Sequence, residues 1–116
     1  MRTKNKNDAE NQVVNNCLLA LSQAGVKAFR NNTGTLLDRT GRPVKFGLCV
    51  GSSDIIGIAP DGIFVAIECK TQIGQPTDKQ VNFINVINAT GGRAGVARPG
   101  PEAVAIALGS QPQPQT

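Results

Sequence analysis

Apolar positions recur along the chain with two different periods, and the switches between them mark its elements. From about residue 8 to about residue 23, Val14, Cys17, Leu18 and Leu21 fall at i, i+3, i+4 and i+7, the stripe of one helical face. Asp8 is placed to cap that helix, and Gly25 suits the left-handed position just past its end. Residues 26–30 read as a short strand. Residues 35–46 hold two short apolar pieces around the polar turn Asp38-Arg39-Thr40-Gly41-Arg42-Pro43, a protruding hairpin or loop. Residues 48–58 are rich in strand formers but interrupted by Gly51-Ser52-Ser53-Asp54. Residues 63–69 are almost continuously apolar, as expected of a strand covered on both faces. Pro60-Asp61-Gly62 between these two runs predicts a turn and an antiparallel hairpin. Thr77-Asp78-Lys79-Gln80 is a capping-box pattern opening a helix to about Thr90, which Gly91-Gly92 stops. Residues 93–97 read as a strand and residues 102–108 as a helix or a strand. The fold class is therefore α/β, a central mixed sheet flanked by helices, in the order α-β-(hairpin)-β-β-α-β-α.

Length allows one domain of 116 residues. Its expected extent is residues 8–109, with a flexible basic arm over 1–7 and a disordered Gln/Pro tail over 110–116. No apolar run is long enough to span a membrane, and the N-terminus leads into no apolar segment typical of a signal peptide. A cytoplasmic location and no membrane partner are expected.

Composition narrows the chemistry by what is missing. The chain has no His, Trp or Tyr, which excludes His-based catalysis and imidazole zinc sites. Cys17, Cys49 and Cys69 are widely spaced in apolar surroundings and are expected to be small buried hydrophobes. Twelve basic against eight acidic residues give a net charge of +4, which permits a polyanionic partner. Any chemistry must then come from carboxylates, Lys, amides and hydroxyls, with or without a metal ion.

Five of the acids have ordinary explanations: Asp8 as a cap, Asp38 and Asp61 in turns, Asp78 and Glu102 in first helical turns. Glu10, Asp54 and Glu68 do not. Glu68 interrupts the strongest strand, and strand alternation puts it on one face with Lys70 while Ile67 and Cys69 take the other. A charge there is costly unless paired or bound to a cation. Its plain alternative is a Glu68–Lys70 ion pair at a strand end. Asp54 precedes an apolar run, with a tight-turn Asp as the alternative. Glu10 lies on the buried stripe of the first helix, and a first-turn acid is its alternative. Gln80 begins the apolar stripe Phe83, Ile84, Ile87, and otherwise serves as the capping-box partner of Thr77. Three carboxylates, a Lys and an amide converging at a sheet edge describe a hard-cation site, and an all-oxygen donor set selects Mg²⁺ or Mn²⁺.

Asp54, then fourteen residues to Glu68-Cys69-Lys70, resembles the D…E-x-K core of the PD-(D/E)XK nuclease superfamily. Glu10 on a preceding helix, Phe29-Arg30-Asn31-Asn32-Thr33-Gly34, Gly51-Ser52-Ser53 and a downstream Gln80 make the chain similar to the VRR-NUC family over about residues 8–97. Ser53, rather than the superfamily's Pro, precedes Asp54. The resemblance implies a restriction-endonuclease-like core (α-β-β-β-α-β) and a metal-dependent, structure-specific DNA endonuclease acting on branched DNA such as Holliday junctions. A homodimer in a bacterial or phage-infected cell is implied as well. On this reading Asp54, Glu68 and the backbone carbonyl of Cys69 hold Mg²⁺ or Mn²⁺, and Glu10 completes the site directly, through water or at a second ion, with no other cofactor. Lys70 neutralises developing charge, and Gln80 orients Lys70 or the attacking water. DNA contacts are expected from Arg30, Asn31, Asn32, Arg39, Arg42, Lys45, Ser52, Ser53 and Lys79, with Arg2, Lys4, Lys6, Arg93 and Arg98 as further candidates. A dimer interface at residues 48–50 or 103–108 is expected. The rival readings are a nicking or restriction-like endonuclease on duplex DNA and a catalytically inert DNA-binding or assembly module.

Overall fold

The computed structural model of the chain describes residues 6–99 and 101–109. Residues 1–5 of the expected arm, with Arg2 and Lys4, and the Gln/Pro tail lie outside the described residues. Nine elements follow in order: α1 (Lys6–Gln23), β1 (Lys27–Arg30), β2 (Gly34–Leu37), β3 (Pro43–Phe46), β4 (Ile55–Ile58), β5 (Phe64–Cys69), α2 (Asp78–Ala89), β6 (Arg93–Ala97) and α3 (Glu102–Leu108). Four strands form a mixed sheet in the order β1-β4-β5-β6, and β2 and β3 pair only with each other. The β1–β4 and β4–β5 pairs are antiparallel, while β5 and β6 are parallel and joined through α2.

The register sorts the side chains. Ile55 lies opposite Ile67, and Cys69 opposite Ala97, so these residues share the face that α1 and α3 cover. Val13, Val14, Cys17 and Leu21 of α1 and Ala103 and Ala107 of α3 close the core there. Ala103 and Ala107, four apart, lie buried on one helical side, which settles this segment as a helix. Val104, Ala105 and Ile106 are half-buried and Leu108 is exposed. On the opposite face α2 lies along β5 and β6, and Phe29, Ile58 and Phe64 remain exposed. The outer edge of β6 is closed at one point, where the Asn88 amide takes both backbone groups of Ala94.

Three local expectations are revised. α1 begins at Lys6, so Asp8 lies inside the first turn, where the helix dipole favours its charge, and is not the cap. Residues 48–50 are not strand: they belong to a bend held by Asn31, whose Nδ2 donates to Ser52 Oγ and the Ser53 carbonyl and whose Oδ1 accepts from the Leu48 N–H. Cys49 in that bend is exposed, whereas Cys17 and Cys69 are buried as expected. The Pro-Asp-Gly turn forms as predicted, with Gly62 N–H donating to the Ala59 carbonyl at 2.8 Å.

Gly51 seats the bend against α2. Its φ is +83°, and a Cβ added there would lie 2.8 Å from the Lys79 carbonyl oxygen. Gly51→Ala is expected to destabilise the fold by about 1–2 kcal/mol or more, read as a lower urea midpoint at unchanged slope.

Candidate functional site

The C-terminal end of β5 carries the one buried carboxylate among the described residues. Glu68 is 2% exposed. It stands on the face of β5 that α2 covers, and two neighbours address one of its oxygens. Gln80 Nε2 donates to Glu68 Oε1 at 3.0 Å, and Lys70 Nζ stands 3.9 Å from the same atom, an ion-pair distance rather than a hydrogen bond. The other oxygen, Oε2, is buried with no hydrogen-bond partner. Asp54, at the start of β4, turns its carboxylate to the same strand end, where Oδ2 accepts the Cys69 N–H at 2.9 Å. The Asp54 carbonyl accepts the Asn31 N–H at 2.7 Å, which ties the strand start to the loop after β1.

Burial first, then the negative charge of Asp54, push the Glu68 carboxyl up to about 8; Lys70 opposes the shift only in part. The physical cause is plain: two carboxylates meet in a poorly hydrated place with no donor for Glu68 Oε2. A proton between the two relieves the repulsion, and so does a hard divalent cation. On that ground Asp54 and Glu68 fit such an ion. Cys69 offers no thiolate, because hydrogen bonding with Cys17 and burial push its proton affinity far up.

Gln80 closes the capping box and reaches the site at once. Its Oε1 accepts the Thr77 N–H at 2.8 Å and its N–H donates to Thr77 Oγ1 at 3.2 Å, closing the capping box. That fixes the amide so that Nε2 faces Glu68. Its contact at the site is with Glu68. Glu10 is brought to the site by α1, but to Lys70, with Oε1 3.9 Å from Nζ. Lys70, 11% exposed, thus bridges Glu10 and Glu68. Among the described residues, no three of His, Cys, Asp and Glu are grouped closely enough to hold a metal ion by themselves. Asp54 and Glu68 thus meet directly, and Glu10 joins them through Lys70.

The expected DNA contacts divide by what they already touch. Arg39, Arg42, Lys45, Asn32 and Lys79 are exposed. The first two sit on a tip organised by Asp38, whose Oδ1 accepts from Thr40 N–H, Thr40 Oγ1 and Arg42 N–H. Ser52 and Ser53 are buried, so they are not surface donors as expected. Asn31 spends its amide on the bend, and Arg30 faces α1, where it donates to Asn11 and Asn15. Arg93 forks onto Asp61 and also donates to the Ala107 carbonyl, while Arg98 is engaged by loop carbonyls. The structural work of Asn31 and Arg98 was the part missed from sequence. Its one signal is the polar, Gly- and Pro-containing stretch of residues 71–76, whose carbonyls have no ladder to join.

No protein-family model and no curated protein matches the chain. What fold and site define among the described residues is an α/β protein with a mixed four-stranded sheet and three helices, bearing a buried Glu68, a half-buried Asp54 and a lysine at the end of a central strand. Among the described residues no helix is long and apolar enough to cross a membrane.

The raised Glu68 carboxyl has a thermodynamic consequence. Between its ordinary value of 4.5 and about 8 the folded state binds more protons than the unfolded one, so stability falls as pH rises through that window. Asp38, held low chiefly by the Thr40 hydroxyl, and Asp61, held low by Arg93, work the other way, but only below their ordinary value of 3.8. In metal-free buffer the melting temperature is expected to drop from about pH 5 to about pH 8. Glu68→Gln should flatten that slope, and millimolar Mg²⁺ or Mn²⁺ should offset it in the parent; calorimetry at several pH values checks both.

Proposed function

We propose that this chain is a divalent-metal-dependent DNA endonuclease with a restriction-endonuclease-like core, acting on branched DNA. One observation carries the reading: a buried Glu68 with an unpartnered oxygen lies against Asp54 and beside Lys70, so the D…E-x-K spacing of the sequence is also a cluster in space. The order of elements, with the acid pair at the adjoining ends of β4 and β5, supports it further.

Asp54 and Glu68 would hold the cation, with the Cys69 backbone as a further oxygen source. When bound, the ion supplies Lewis-acid polarisation of the scissile phosphodiester and a more acidic water. The residues of the chain do the rest. Gln80 fixes the Glu68 carboxylate through Oε1 and leaves Oε2 free for ligation. Lys70, 3.9 Å from Glu10 and from Glu68, is placed to neutralise charge developing on the phosphate oxygens. Glu10 holds Lys70 from the other side and is a positioning residue. Arg39, Arg42, Lys45 and Lys79 are exposed cations suited to phosphates, which fix position without reading sequence.

Against this stands the reading of an inert DNA-binding module, favoured by the lack of a ready-made three-ligand group among the described residues. The two separate on a substrate panel of four-way junction, flap, splayed arm and linear duplex, each with Mg²⁺, Mn²⁺ or EDTA. Cleavage of branched substrates in metal and not in EDTA is expected. Equal rates on linear duplex would favour a nicking or restriction-like enzyme, and no cleavage anywhere would favour the inert module. Glu68→Ala and Lys70→Ala are each expected to lower the rate at least about 100-fold. Glu10→Gln should act more mildly, through Lys70. Affinity for junction DNA should fall steeply between about 50 and 200 mM salt.

A homodimer in the cytoplasm is proposed on the same terms. Its support is the exposed apolar surface of Leu36, Val44, Phe46, Leu48 and Val50, and a two-fold pair of sites would match the two strands of a junction. Sedimentation at micromolar protein tests it, with a monomer counting against the assembly.

A further inference from the structure

The loop from Lys70 to the Thr77 cap is irregular but firmly held. Arg98, just after β6, sends Nη1 into it and donates to the carbonyls of Thr71 at 2.7 Å, Gly74 at 2.6 Å and Gln72 at 3.4 Å. The Gly74 N–H donates back to the Thr71 hydroxyl at 3.2 Å and to its carbonyl at 3.3 Å. On this pinned turn stands Ile73, 88% exposed, the most exposed large hydrophobic side chain among the described residues. Its neighbour Gln72 is exposed too, so no apolar patch surrounds it there.

A single exposed aliphatic residue is ordinary on a protein surface. This one differs in two respects. Its loop carbonyls are gathered by a guanidinium instead of being left to water, so its backbone is fixed. And both ends of the loop belong to the site: Lys70 begins it, and the helix bearing Gln80 follows it. Three residues of chain span at most about 11 Å, so the Ile73 Cα stands within about three base steps of the Lys70 Cα. Its branched Cβ also limits the side chain to few rotamers. A fixed aliphatic probe at that range has a known physical use. Ile is among the side chains that enter between base steps and unstack them, at least cost where stacking is already interrupted.

We propose that Ile73 is a wedge that enters the break in base stacking at a DNA branch point, so that branched DNA is preferred over continuous duplex. The inference rests on the nuclease reading and adds a specificity-determining residue to it. Ile73 touches no reacting atom, and Arg98 serves it as a positioning residue.

The test compares the parent with Ile73→Ser and Ile73→Leu on a four-way junction and a linear duplex of the same sequence, in Mn²⁺. In parallel, 2-aminopurine at the branch point reports unstacking when the DNA is bound by the same proteins in a Glu68→Gln background. Ile73→Ser is expected to lower the junction-to-duplex cleavage ratio about tenfold or more and to abolish the fluorescence rise, at an unchanged melting temperature. Ile73→Leu should restore both. An unchanged ratio with an unchanged fluorescence rise in Ile73→Ser overturns the wedge and leaves the nuclease reading standing, and failure of Leu to restore either readout overturns it as well. If the parent cleaves nothing in any metal ion, the nuclease reading fails. The wedge is then decided by fluorescence: a rise with the Glu68→Gln protein that Ile73→Ser abolishes supports it, and no rise overturns it.

Discussion

A single buried carboxylate sets the terms for this structure. Glu68 sits where the sheet excludes water, next to Asp54, and only one of its oxygens is addressed by neighbours. An ionised acid in such a place is a cost to the fold that good packing elsewhere must offset. Several features of the molecule answer to that cost. Lys70 stands beside the acid at the strand end, Gln80 is aimed at it by a capping box, and Asp54 is tied to the strand by the Cys69 N–H. The cost that remains is one that a proton or a hard cation relieves. Stability and ligand chemistry are thus coupled at one side chain.

The polar residues around the site fall into two groups. Asn31, Ser52, Arg30, Arg93 and Arg98 already have partners and build the scaffold: a bend, a helix contact, a strand tie and a loop clamp. Arg39, Arg42, Lys45 and Lys79 stand exposed. An arginine already forked onto an aspartate or spent on carbonyls gives up those bonds to meet a phosphate, so the first group is poorly suited to binding. The second group is concentrated on the β2–β3 hairpin and the N-terminus of α2. Two strands alone are marginally stable in water, and this hairpin exposes Leu36, Leu37, Val44 and Phe46. Its Asp38-organised tip gives it local order without burial.

The acid pair and its lysine were legible along the chain because a charge inside an apolar strand breaks a pattern that physics enforces strongly. Strand alternation correctly placed Glu68 with Lys70 and set Cys69 on the core side. The capping box was legible for the same kind of reason, as a local motif whose partners lie three residues apart. What was not legible is how long-range partners share polar atoms. Gln80 reads equally well as a cap or as a site residue, and it is both. Glu10 reads as a member of the site, acting directly or through water, and the contact it makes is with Lys70. Asn31 and Arg98 look like free donors until the bend and the loop they hold are placed in space.

The amino-acid sequence by itself determined most of the elements, their order, the Pro-Asp-Gly hairpin and the odd charge at the end of the central strand. Each follows from local period, turn chemistry or the cost of a charge among apolar neighbours, and these act within a few residues of chain. Only the tertiary structure decided which carboxylates face each other, which cations are already spent and that an isoleucine is held out beside the site. Those outcomes depend on contacts between elements far apart in the chain, such as Gln80 with Glu68 and Arg98 with Thr71. No local rule of spacing carries that information.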